Sequence, residues 1–165
     1  MPEIFDHLLN GISADFVFRA RPTSLPPELR PDWRISVLLL ILKITGRAGK
    51  ASLKKLHVLG WVIRHQSERD AFLQVIAGEV PADSLMIRFD PALNRAVEFA
   101  VGSKLLAFER LSSGGLNIVL TERGKDSAAR IAELHDCLVS EKSFLHRVGK
   151  ISEAKVENIL TWEDQ

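Results

Sequence analysis

The sequence predicts a mainly α domain with a small β-hairpin, and three observations carry that prediction. Apolar residues recur at helical spacing along most of the chain. Strand-like stretches are few and short, too few for a sandwich, a barrel or a doubly wound sheet. Two of them flank Ser112-Ser113-Gly114-Gly115, which reads as a hairpin turn. The 165 residues are enough for one domain with a sizeable core, and 46% hydrophobic with 26% charged residues is an ordinary globular balance.

In chain order, Ile4, Phe5, Leu8, Leu9 and Ile12 predict a short amphipathic helix, and Asp15–Ala20 (DFVFRA) a strand. Pro22, Pro26, Pro27 and Pro31 then forbid regular structure and read as an extended connector. Asp32 begins a helix to about Thr45, stopped by Gly46. Its WRISVLLLILKI run is apolar on nearly every side, so it is either a central core helix or one half covered by another chain. Such a helix asks for more cover than one small domain readily supplies. Ser52 caps the next helix, Leu53–His65, whose inner stripe is Leu53, Leu56, Leu59, Gly60 and Ile63; Lys54, Lys55 and Arg64 fall outside it. A helix from about Glu68 to Ile76 ends at Gly78.

Asp90-Pro91 is a helix start, with Asp as N-cap and Pro where its missing N–H costs nothing. Leu93, Ala96, Val97, Ala100 and Val101 give the buried stripe, and Gly102 stops the helix. Leu105–Leu111 and Leu116–Leu120 form the hairpin, and Thr121 caps a helix through about Leu138. Helices at about Glu141–Val148 and Glu153–Trp162 close the chain. Helices, then a Gly-tipped hairpin, then a further helix is the order of a winged helix-turn-helix with an N-terminal arm and C-terminal helices. The expected divisions are arm and Pro-rich connector over 1–30, winged-helix domain over 31–138, and C-terminal helical extension over 139–165.

Catalytic signals are absent from the pattern. Gly46-Arg47-Ala48-Gly49-Lys50-Ala51-Ser52 fails as a phosphate loop: two residues separate its glycines where four are needed, and Ala51 stands where the hydroxyl belongs. It reads instead as a helix–helix turn with solvated cations. His7, His57, His65, His135 and His146 form no helix-borne metal pair and read as surface or boundary residues. Cys137 is the sole cysteine, so no intramolecular disulfide or cysteine-based zinc site is expected. No catalytic residue, metal or cofactor is expected. With no signal peptide or membrane span evident in the sequence, the expected location is the cytoplasm.

Lys and Arg number 22 against 21 Asp and Glu, which disfavours binding dominated by phosphate neutralisation. If this scaffold reads DNA, Asn94 and Arg95 would meet base edges, with Lys104 and Arg110 on the backbone. Acidic residues interrupt these cations, so a protein partner fits better.

Four stretches carry a family resemblance: LLLILKI (38–44), KLHVLGWVIR (55–64), FDPALNRAVEFAV (89–101) and LTERGKDSA (120–128). Over Leu38–Gly124, about half the chain, the sequence resembles the small middle components of bacterial three-component systems built around an ABC-type, SMC-like ATPase, including Lamassu-type anti-phage defence. DPALNRA is the most distinctive part. The resemblance implies a winged-helix adaptor that couples the ATPase to a nuclease-like effector subunit and performs no catalysis itself. It also implies structural roles for Asp90, Pro91, Leu93 and Ala96, and places Lys55-Leu56-His57 in a helix interface. The expected partner surface is the arm (Ile4, Phe5, Leu8, Leu9, Phe16, Phe18), with Leu160 and Trp162 second. The alternative is a winged-helix transcription regulator that binds DNA.

Overall fold

The computed structural model describes residues 24–112 and 114–160. The helix and strand expected before Pro22, and Trp162, lie outside these residues. The elements are α1 (Pro31–Ile44), β1 (Lys50–Ser52), α2 (Leu53–Val62), α3 (Gln66–Ala77), α4 (Pro91–Gly102), β2 (Leu106–Arg110), β3 (Leu116–Leu120), α5 (Glu122–Glu133), α6 (Val139–Val148) and α7 (Glu153–Leu160). Short 3-10 turns lie at Pro27–Leu29 and Ala82–Ser84. The architecture is mainly helical with a small antiparallel sheet.

Helix α1 is the axis of the core. Pro31 stands in its first turn, and every side chain from Val37 to Leu42 is at most 2% exposed. Packing from α2, α4, α5 and α6 surrounds it. The chain therefore covers its own apolar helix, and the expectation of borrowed cover is corrected: what looked like surplus is the centre of the core. Phe144, Leu145, Ile151, Val156 and Ile159 belong to that same buried cluster, so α6 and α7 pack on it directly.

A second correction concerns Gly46–Ser52. Ala48 (φ 52°) and Gly49 (φ 73°) take left-handed backbone and reverse the chain, which sends Lys50–Ser52 out as a strand. That strand pairs with β3, Ala51 opposite Ile118, giving a three-stranded sheet in the order β1-β3-β2. The segment is a strand start, and Lys50 is ion-paired to Glu109 at 2.5 Å where a solvated cation was expected.

The predicted caps form. Ser52 accepts from the Lys55 N–H, Asp90 from Ala92 and Thr121 from Gly124. Helix α5 stops at Glu133, five residues short of expectation: Leu134 takes extended backbone (φ −65°, ψ 121°) and is 49% exposed, so no buried apolar contact there continues the helix. Two glycines set close approaches. A Cβ at Gly124 would lie 2.0 Å from the Leu105 carbonyl oxygen, and one at Gly60 would lie 2.7 Å from the Leu93 side chain. At Gly124 the obstacle is backbone, so only glycine lets α5 start against the Leu105 carbonyl; at Gly60 it is the end of the Leu93 side chain, which would have to shift.

Candidate interaction surface

Helix α4 turns Leu93, Ala96, Val97 and Ala100 inward, which leaves Asn94, Arg95, Glu98 and Phe99 outside. Phe99 is 64% exposed. In the hairpin, Leu106 pairs with Leu120 and Phe108 with Ile118 on the face that meets the core. Because side chains alternate along a strand, Arg110 and Leu116 share that face but lie further toward the tip. Past the edge of the core, Phe108, Leu111 and Leu116 are left 51%, 41% and 41% exposed.

Beside the tip runs a groove of about 520 Å³, bounded by Leu53, Leu111, Leu116 and Val156, with Lys54, Glu153 and Glu157 on its rim. Helix α7 is fixed there by polar contacts. The Ser52 hydroxyl donates to Glu153 at 2.5 Å, and Lys54 pairs with Glu157 at 2.9 Å.

Of the four residues expected to read nucleic acid, two lie on α4 and the other two before and at the far end of β2. Asn94 and Arg95 are exposed on α4, but the Asn94 side-chain oxygen is already bonded to His57 Nε2 at 2.9 Å. Lys104 is exposed in the turn before β2, with left-handed backbone (φ 58°), and Arg110 is exposed at the far end of the strand. The arm residues Ile4, Phe5, Leu8, Leu9, Phe16 and Phe18 lie outside the described residues, as does Trp162. Leu160, the remaining expected partner residue, is half-buried and packs on the core.

Behind α4 lies a charged cluster that the sequence reading missed. Arg34 Nη1 donates to Asp90 Oδ2 at 2.5 Å, and Arg64 Nη1 lies 3.5 Å from the same oxygen. Burial favours the neutral Asp90, but the Arg34 hydrogen bond, the Ala92 N–H and both guanidinium charges outweigh it and hold the carboxyl below its usual range. Arg64 stacks on Trp61, 4.0 Å from the ring centroid. Its Nε and Nη2, and the Trp61 indole N–H, are buried without a hydrogen-bond partner among the described residues. Burial lowers the Arg64 pKa against the opposing pull of Asp90.

His57 is also buried, at 5% exposure, and its ring meets Phe89 edge-on with centroids 4.8 Å apart. That corrects its reading as a boundary residue: burial lowers its pKa and keeps it neutral, though the Asn94 bond opposes the shift. Lys55, expected outside the inner stripe, is buried all the same. Lys55 is 1% exposed and donates to the carbonyls of Thr45 (3.0 Å) and Ile151 (2.7 Å). The available signal was Arg34 next to the apolar run of α1, where a buried charge needs a partner.

Among the described residues, no group of three or more metal-ligating side chains forms and no helix is long and apolar enough to cross a membrane. No known family model, curated protein or solved structure matches the chain.

Proposed function

We propose that the chain is a winged-helix adaptor, a non-catalytic subunit that links an SMC-like ABC ATPase to a nuclease-like effector in a bacterial anti-phage complex. The resemblance through DPALNRA supplies the identity of the partners. The strand order β1-β3-β2, with β1 between α1 and α2 and the hairpin after α4, supports the winged-helix reading.

One observation carries the choice of a protein over DNA as ligand. Against the one exposed cation Arg110, this hairpin presents Phe108, Leu111 and Leu116 to solvent, and the last two line an apolar groove. Its nearby Lys50 is already paired with Glu109. The hairpin tip and α7 together form the docking face for the ATPase.

Co-expression with the genomically adjacent ATPase, followed by size-exclusion with light scattering, tests this. A stable complex is expected. Burying one large apolar side chain contributes about 1.5–3 kcal/mol, so Phe108→Asp should weaken assembly roughly tenfold to a hundredfold. Phe108 is half exposed, so the variant should keep the fold. An isolated chain that ignores the ATPase and binds a palindromic duplex with steep salt dependence would replace this reading with the regulator.

A further inference from the structure

We infer that the cavity between the C-terminal end of α1 and the start of α7 is a binding site for a phosphate group. The cavity holds about 520 Å³, within the range of roughly 300–1,000 Å³ usual for small-molecule sites. Its walls bring together Arg47 and Lys150, both exposed, and Lys55, which is 1% exposed. An open cationic rim therefore stands over a buried cationic floor. The Lys55 ammonium meets the Thr45 and Ile151 carbonyls and lies 3.9 Å from Glu153. All three of those residues line the cavity, which sets the ammonium in its wall.

The donors are only partly used. An ammonium carries three N–H groups. Lys55 spends two on carbonyls, and Lys150 spends two on those of Gly46 and Lys43, so each keeps one. The Arg47 guanidinium makes no hydrogen bond or ion pair among the described residues. Charge then selects the ligand. Among the described residues of the wall, Glu153 is the only carboxylate, and it already accepts from the Ser52 hydroxyl at 2.5 Å. Three cations against one carboxylate leave two positive charges in excess. A phosphate monoester carries about −1.5 to −2 at neutral pH and offers three strong acceptor oxygens, enough to meet each cation. A carboxylate would leave charge over. Burial is the main cause of the lowered Lys55 pKa and the Lys150 charge adds to it, while Glu153 opposes; an anion between the two lysines offsets both. Gly46–Ser52 lacks the spacing of a nucleotide loop, and its part here is different: it supplies the Arg47 side chain and no glycine cradle. The cavity shares only Glu153 with the groove beside the hairpin tip, so the inference does not depend on which protein the hairpin binds.

The test uses the full chain, with the backbone amide resonances of Ala48, Ser152 and Glu153 as readouts. Inorganic phosphate is titrated at constant ionic strength against chloride. Saturable movement of all three resonances is expected with phosphate and not with chloride. Arg47→Gln removes an exposed side chain, so the melting temperature should hold. Its phosphate affinity should fall about tenfold, the loss of one charge-assisted hydrogen bond. Arg88→Gln, at an exposed arginine that is not on the wall, should bind as the wild type does. A parallel titration with adenosine monophosphate separates the sources. Tighter binding that moves the same resonances points to a phosphate monoester whose organic part fills the remaining volume, and equal binding points to free phosphate. Shifts that do not saturate, or that chloride reproduces, overturn the site. So does wild-type affinity in Arg47→Gln, or an equal loss in Arg88→Gln, since only general surface charge would then be at work.

Discussion

At the C-terminal end of α1, lysines close the helix. Lys55 donates to the carbonyls of Thr45 and Ile151, and Lys150 reaches the carbonyls of Gly46 (2.6 Å) and Lys43 (3.4 Å). Cations there also meet the negative end of the helix dipole. At the N-terminal end the cations are arginines, and the dipole opposes them. Asp90 offsets that by binding Arg34 and attracting Arg64, yet Arg64 is left with two idle donors. One end is a finished clamp that ties α1 to α2 and the start of α7. The other leaves buried N–H groups without a partner among the described residues, and an unsatisfied polar cluster costs stability.

The largest effect should come from breaking the clamp. Lys55→Met keeps the volume and leaves the Thr45 and Ile151 carbonyls buried without that donor. A loss of about 2–5 kcal/mol is expected, at roughly 1–3 kcal/mol for each orphaned group. For a domain of this size the melting temperature should fall by roughly 5–15 °C, read by circular dichroism. The amine also carries a pH signature. Burial is the main cause of its lowered pKa, and the Lys150 charge adds to it while Glu153 opposes. The unfolded chain therefore holds this proton more tightly, so wild-type stability should gain as pH rises from the lowered value toward the ordinary lysine range. Lys55→Met should lose that gain; an unchanged alkaline slope would show that the amine is not buried in solution.

A middle-sized effect is expected at Asp90. Asn still caps α4 but removes the charge that holds Arg34 and Arg64, at a cost of about 1–3 kcal/mol. The carboxyl's folded pKa lies below its unfolded value, so its contribution is present above about pH 4 and is lost as pH falls through the folded value. Urea midpoints from neutral to acid pH should therefore drop for the wild type. In Asp90→Asn this acid limb should be shallower; equal limbs would place the acid-labile pair elsewhere.

Much of this contrast was invisible in the sequence, for a physical reason. Periodicity and caps act over four or five residues, so α1, α4 and the hairpin were legible, with Ser52, Asp90 and Thr121 as their caps. The charged cluster joins Arg34, Arg64 and Asp90, which are 26 to 56 residues apart and meet only when three helices pack. Lys55 misled because its backbone position lies off the apolar stripe, while its long stem passes the amine beneath α1 to reach two carbonyls. Strand β1 was missed because three residues carry no alternation; the left-handed turn at Ala48-Gly49 was its only local trace. At the surface, the exposure of Phe99 and Phe108 depends on where the core ends, which periodicity and pairing alone do not fix.

The smallest effect is expected at Arg64, and its smallness is the informative part. Arg64→Met removes a guanidinium whose burial is only partly compensated and fills the same space with a flexible apolar chain. What is lost is the stacking on Trp61 and a 3.5 Å contact to Asp90, which Arg34 continues to hold at 2.5 Å. What is relieved is the desolvation of two unpaired N–H groups. These terms oppose one another, so stability should stay within about 1 kcal/mol of the wild type by urea unfolding. Set against Lys55→Met, that result would separate a buried cation that holds the fold together from one that adds little to its stability. A loss of several kcal/mol would instead mean that the chain itself fills the Arg64 fork in solution, and the two ends of α1 would then be built alike.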